Sequence, residues 1–564
     1  MVVRKRKFRY LILLTAGLLA VNMPLSAQAE DMAVETEIKV PVEEEAAEDL
    51  NPVPKEALKK KEMSDEKNSK SEDYRRDSRR RAYDESKKMP KSTKNQQVEN
   101  SDKSDGMYFE WMSALPKEEM TYSAGGGQIT WIPILQDNEV VRGTVILKDA
   151  VIESAGIGIG FPVPVDIKVE GKNRITSDSI GICLLRKEAA DPQGLDLNIT
   201  GTGSLEINSK NDGIKSADNI VVDTVQLTVI YGDSSGSYKG LHTTKGNIEI
   251  KNSEYIKVRS NPDGIGSNSS AIFAGQNQGQ KISIVKSHVT AITEEGGAID
   301  ANAGNIELVS SDVRAIGNTS TGLVSGALNY FSGCTMDGGT LFADNKGTDL
   351  AIPSVPTAPL KASNSAVLYD GKENGLPLEG DFVWYLLCTY DESADQILTV
   401  GRCFVFGDVT WNDNMRFGSG KSFNIGYVDK PSTLTIPEGV TVDISDESWF
   451  NVGNSSSQPK SRLINYGTIN VESKTSIDTY PDATVVNHGT INVLDGGEVY
   501  NYYIPASQKG GVFQNNAQMT IAQGGLFQNQ GHLENDGTIE APGSFYTVRL
   551  SNYDGSIAGG GDQL

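Results

Sequence analysis

Residues 211–229 read NDGIKSADNIVVDTVQLTV, and this stretch decides the fold. Apolar residues fall at every second position in Ile220/Val222 and again in Leu227/Val229. A period of two places them on one buried face of a strand. Asp223-Thr224, between the pairs, is turn chemistry. The stretch opens on Gly213-Ile214, and that two-residue phrase recurs along the chain. It returns as Gly156-Ile157, Gly181-Ile182, Gly240-Leu241, Ala271-Ile272, Ala298-Ile299 and Ala327-Leu328. Paired apolar phrases follow the later copies too, as in Ile282/Ile284 with Val289/Ala291 and Ile306/Leu308 with Val313/Ala315. Three short strands per unit of about 28 residues is the pattern of a parallel β-helix. One such unit cannot bury enough surface alone, so units come in series. A two-sheet sandwich leaves the near-regular phrase unexplained and lacks hairpin signals at strand spacing.

Outward from this core, the chain divides into five parts. Residues 1–29 read as a signal peptide: Arg4, Lys5, Arg6, Lys7 and Arg9 precede the apolar run 10–21, and Ala27-Gln28-Ala29 closes it. Twelve apolar residues span about 18 Å, too short for about 30 Å of hydrocarbon. The mature chain therefore reads as secreted, with no transmembrane span. Residues 30–106 carry 21 acids and 17 bases and read as a disordered charged linker. Its basic stretch 75–94 is a candidate for electrostatic contact with an anionic cell wall, against the alternative of a solvated spacer. Residues 107–350 hold the β-helix, 351–380 a joint marked by Pro353, Pro356 and Pro359, and 381–564 a second β-solenoid.

The second solenoid has its own phrase, apolar-x-Asn-x-Gly-x-apolar. Asn465, Asn487, Asn515, Asn529 and Asn535 hold the asparagine. Repeated asparagine at a turn predicts a stacked Asn ladder.

The formal charge of the chain is −22. The leader contributes +5 and the linker −4, which leaves −23 on residues 107–564. That balance argues against nucleic acid as a partner. Four cysteines exclude a disulfide scaffold. Cys183 and Cys334 fall five rungs apart, about 24 Å, and should not pair. Cys388 and Cys403 are candidates for a disulfide across neighbouring strands, against two buried thiols.

Candidate ligand-binding residues are Asp212, Lys215, Tyr231, Arg259, Asp263 and Asp300, which stand beside the recurring phrase or on its neighbouring strands. Asp212 and Asp263 are also the candidate metal ligands, for Ca²⁺ if any cofactor is used. Asp-Gly at these places is equally explained as turn chemistry. His242 reads as a solvent-facing strand residue. A polygalacturonase-like hydrolase would need clustered aspartates with Gly-His-Gly and Asn-Thr-Asp, and the sequence holds neither motif.

The phrase Asn211-Asp212-Gly213-Ile214-Lys215-Ser216 followed by Asn219-Ile220-Val221-Val222 resembles the repeat unit of bacterial carbohydrate-binding surface proteins with a pectate-lyase-like right-handed parallel β-helix. Asn261-Pro262-Asp263-Gly264-Ile265 is similar. At Gly240, Ala271, Ala298 and Ala327 the preceding aspartate is missing, a departure from a periodic Ca²⁺ array. The second half resembles repeats of secreted adhesin-like proteins. The resemblance implies an all-β secreted or cell-surface adhesion protein that binds a polysaccharide or cell-envelope glycan without catalysis. Its alternatives are a polysaccharide lyase or glycoside hydrolase of the same fold, and a structural cell-envelope protein.

Overall fold

A computed structural model describes residues 107–108 and most of 115–558. It leaves out 185–193, 263–268, 319–326, 353–358, 370–377 and several shorter stretches. The expected signal peptide and charged linker lie outside the described residues. Among those described, every regular element is a strand.

The first unit is a parallel β-helix with three strands per rung. The recurring phrase forms a sheet of very short strands, among them Ile182–Leu184, Ile214–Ser216, Lys239–Thr243, Ser269–Ala274, Gly296–Asp300 and Leu328–Asn329, each parallel to the next. The two apolar pairs of each unit form the second and third strands, as in Ile220–Asp223 and Gln226–Tyr231. Ile282/Ile284 stack on Ile306/Leu308, and Val289/Ala291 on Val313/Ala315, in register and buried. One expected alignment is displaced. Ile159, not Ile157, is the partner of Ile182, so the first copy of the phrase is Gly158-Ile159.

The glycine of the phrase is there for packing. A Cβ on Gly213 would lie 2.2 Å from Val229 Cγ1, and one on Gly240 would lie 2.1 Å from Val258 Cγ1. Gly158 and Gly181 meet Ile175 and Ile207 in the same way. Ile175, Ile207, Val229, Val258, Ala291, Ala315 and Ala343 form one continuous ladder column. Where that column shrinks to alanine, the phrase changes to Ala271, Ala298 and Ala327. Volume is exchanged across the core so that each rung is filled once.

The expected span 107–350 is not helical coil throughout. Met120–Ala124, Gly127–Gln136 and Glu139–Lys148 form an antiparallel meander, whose last strand pairs in parallel with Val165–Glu170. Its turns are Gly125-Gly126 and Asp137-Asn138, all with positive φ, the tight hairpin geometry. Trp131 plugs the end of the core. It is fully buried, stacks on Phe161 at 4.8 Å and donates Nε1–H to Pro116 O at 2.9 Å.

The expected joint does not interrupt the ladder. Leu360–Tyr369 is parallel to Gly333–Asn345, and Leu378–Tyr385 is parallel to Leu360–Tyr369. Pro359 stands just before Leu360, outside the hydrogen-bonded stretch, where a missing N–H costs nothing. The change comes later: Leu378–Tyr385 pairs antiparallel with Arg402–Thr410. Phe382, Trp384, Phe404 and Phe406 face the first core, while Val383, Cys403 and Val405 face the second. Two strands thus wall off two cores, one on each face.

The second unit also has three strands per rung, mostly of four residues each. Its core stacks Phe423 on Phe450 at 4.7 Å and Phe527 on Phe545 at 5.4 Å. The Asn ladder is present: Asn465, Asn487, Asn515 and Asn535 pass Nδ2–H to the next Oδ1 at 2.9, 2.8 and 2.8 Å. Asn529 belongs to a separate ladder with Asn501, at 2.6 Å, on another sheet.

The cysteines follow from register. Cys183 and Cys334 are buried thiols on different strands and form no disulfide with each other. Cys388 is opposite Thr399, whereas Cys403 is opposite Tyr385 and beside Phe423. The two are therefore not cross-strand neighbours. The side chain of Cys388 lies outside the described residues.

Candidate functional site

Strand register assembles the site. Lys215, His242, Phe273, Asp300 and Asn329 occupy successive positions of one ladder in the short-strand sheet. Their chain neighbours Ile214, Leu241, Ile272, Ile299 and Leu328 are fully buried. Alternation along a strand then turns the row outward. Beside it, Lys239 pairs with Ser270, which is buried.

Asp212 anchors one end. Its Oδ1 accepts the Lys239 N–H at 2.8 Å; Oδ2 meets His242 Nδ1 at 2.9 Å and Lys215 Nζ at 3.2 Å. Burial works against the Asp212 carboxylate, but His242, Lys215 and the Lys239 amide together hold its pKa below the ordinary range. Asp300 anchors the other end. It accepts from Asn329 Nδ2 at 2.9 Å, the Asn302 N–H at 2.8 Å and Ser270 Oγ at 3.4 Å. Here burial prevails and the carboxyl is pushed up, despite Asn302, Lys239, Asn329 and Ser270. Lys239 lies between the two acids. Its Nζ is 3.3 Å from Ser270 Oγ and 5.0 Å from the Phe273 ring centre. Burial lowers its pKa against the pull of Asp300 and Asp212. The His242 ring meets Phe273 edge-on at 5.4 Å.

The expected residues divide. Asp212, Lys215 and Asp300 share this face. Tyr231 does not: it is fully buried, beside Thr293, and burial pushes its hydroxyl pKa up. It is a core residue, because its place in the third strand points inward. Arg259 belongs to the third-strand sheet, in register with Ile230 and Ile292, and lies 3.9 Å from Glu294. Asp263 lies outside the described residues. His242 is not simply solvent-facing, since Asp212 holds its ring. Lys239, Ser270 and Asn329 were not expected. Yet one signal marks the outward row: each member follows the Ile or Leu of the recurring phrase.

Asp212 is a poor calcium ligand. Both oxygens are engaged, and Lys215 stands where the cation would sit. Among the described residues no group of three or more His, Cys, Asp or Glu is placed to hold a metal ion. The backbones of Asp212 and Asp300 are three rungs apart, about 14 Å along the axis, and each carboxylate is taken up by its own donors: Asp212 by the Lys239 N–H, His242 and Lys215, Asp300 by Asn329, the Asn302 N–H and Ser270.

No family model matches the chain, and no curated protein matches it. Among solved structures, a double mutant of the tailspike protein of E. coli bacteriophage HK620 matches at 9% identity over 74% of each chain, with a TM-score of 0.20. The fold described above rests on strand register, not on that likeness.

Proposed function

We propose that this is a secreted extracellular protein that holds a polysaccharide along the outer face of its short-strand sheet without cutting it. The observation that carries this reading is the outward row Lys215–His242–Phe273–Asp300–Asn329. It runs along the helix axis, as a chain-like ligand requires, and combines one aromatic ring with hydrogen-bonding groups on both sides. Its charges are matched within the row and with Asp212 and Lys239, which suits a ligand read through hydroxyl groups. A hydrolase would need two carboxyl groups free to act on one bond, whereas Asp212 and Asp300 are each engaged by their own donors. Lys239 and Asp300, with pKa values shifted toward each other, are the groups that a catalytic reading would use. The test is to incubate the purified chain with a panel of extracellular glycans. Retention without new reducing or unsaturated ends supports binding. Release of such ends supports the enzyme, and no retention of any glycan removes the proposal.

A further inference from the structure

The second solenoid has an outward face of different chemistry. Ser422, Trp449, Ser476, Glu498, Leu526 and Ser544 form one ladder row, and Asn424, Asn451, Asp478, Tyr500, Gln528 and Tyr546 the next. The residues between them, such as Phe450, Ile477 and Val499, are fully buried, so both rows point away from the core, although Ser476 and Asp478 are themselves only 5% and 7% exposed. Trp449 is 45% exposed. Its ladder neighbours are Ser422 and Ser476, too small to cover an indole from either side. Asn451 donates to Asn424 Oδ1 at 2.8 Å, which fixes a flat amide edge beside the ring.

The two rows contain two acids and no base. Asp478 and Glu498 stand on consecutive rungs next to the Trp449 rung. Neutral hydroxyls meet them: Tyr500 OH donates to Glu498 at 2.9 Å and Tyr502 OH to Asp478 at 3.5 Å. Hydroxyl donors leave the negative charge in place. The first face differs, because there Lys215, His242 and Lys239 stand among the acids. From the uncovered indole and the unmatched acids we infer that this face is a second saccharide site, for a polysaccharide bearing free amino groups. The pyranose ring lies on Trp449 and the ammonium group faces the half-buried Glu498, with the buried Asp478 carboxylate adding its charge from beneath. The charge of −23 on residues 107–564 favours the same ligand class, since it repels polyanions.

The inference deepens the glycan-binding reading but uses separate residues, so each can fail alone. The full chain is titrated with a glucosamine hexamer, the N-acetylated hexamer, a neutral glucan hexamer and a lysine hexapeptide. The glucosamine hexamer should bind at least about tenfold more tightly than the other three. Trp449→Ala and, separately, the pair Asp478→Asn with Glu498→Gln should each abolish that advantage, with Phe273→Ala leaving it intact. Equal binding of the N-acetylated or neutral hexamer overturns the amino-sugar assignment. Equal binding of the peptide shows charge attraction alone and overturns the saccharide site. Loss with Phe273→Ala but not Trp449→Ala moves binding to the first face, overturning this inference and sparing the function proposed above.

Discussion

The two solenoids solve one problem by different means. Each must stack three short strands per rung, with no helix among the described residues to cover them. The first fills its core with aliphatic side chains and matches volume across the rung, Gly213 against Val229 and Ala298 opposite the Ala315 column. The second carries buried polar ladders, Asn465 to Asn535, beside stacked phenylalanines. An aliphatic column tolerates uneven rung lengths, because apolar contact is non-directional. An amide ladder needs every donor and acceptor placed, and is costly where one is missing.

The largest expected effect therefore lies in the second unit. Asn487 donates to Asn515 Oδ1 and to Gln518 O, and accepts from Asn465 and from the Gly489 N–H. Asn487→Ala strands these buried groups and should cost about 3–4 kcal/mol. Hydrogen exchange should show protection lost in Arg462–Asn465 and Val512–Asn515, with the first solenoid unchanged. Loss spread over both units would break the comparison.

Next comes the volume exchange in the first unit. Gly213→Ala should destabilise by about 2 kcal/mol, because its methyl would enter Val229. Adding Val229→Ala should restore part of that loss, although Val229→Ala alone costs about 2 kcal/mol. Additive losses in a double-mutant cycle would refute the exchange.

Titration separates the units as well. Burial, with Glu498 nearby, pushes Asp478 up to about 6. The folded state then holds its proton more tightly than the unfolded chain, so this group's contribution to stability falls as pH rises from about 4 to about 6. Asp478→Asn should therefore stabilise at pH 7 by about 2 kcal/mol and flatten that slope. Asp212 is the reverse. Its pKa is held low, so its stabilisation is present above the ordinary carboxylate pKa and is lost as pH falls through the folded one. Asp212→Asn should destabilise at pH 7, where His242 and Lys215 lose their anion. Melting temperatures against pH check both signs.

The smallest effect is a repair. Thr479 stands in register before Asn501, and the Thr479 hydroxyl and Asn501 Oδ1 are both buried without a hydrogen bond. The hairpin Tyr503–Ile504 with Lys509–Gly510 follows Asn501 and displaces the Asn-x-Gly turn that serves Asn465 and Asn487. Thr479→Asn extends the ladder by one donor and should stabilise by about 1 kcal/mol in a thermal melt.

Much of this was legible in the sequence, because stacking turns periodicity directly into register. Gly213-Ile214 and its copies fall in one ladder, and the asparagines of the second phrase meet as expected. What failed did so for local reasons. Three glycines alternating with two isoleucines, Gly156 to Gly160, left two frames open, and only pairing with Ile182 selects Ile159. Pro359 signals a break but stands outside the ladder it was expected to end. Tyr231 has the chemistry of a sugar-stacking ring, but strand parity turns it into the core. The outward row was in the sequence, one residue past each Ile or Leu, but its meaning depended on knowing that the strands are parallel and unshifted. Lys239 carries no local motif, and only its burial between Asp212 and Asp300 marks it.

The most direct test of the account is glycan retention by the full chain carrying Phe273→Ala and, separately, Lys215→Ala, with end-group analysis of the bound polymer. Both variants should weaken retention, and no new reducing or unsaturated ends should appear with any of the three proteins. New ends generated by the unaltered chain and lost with Lys239→Ala would contradict it.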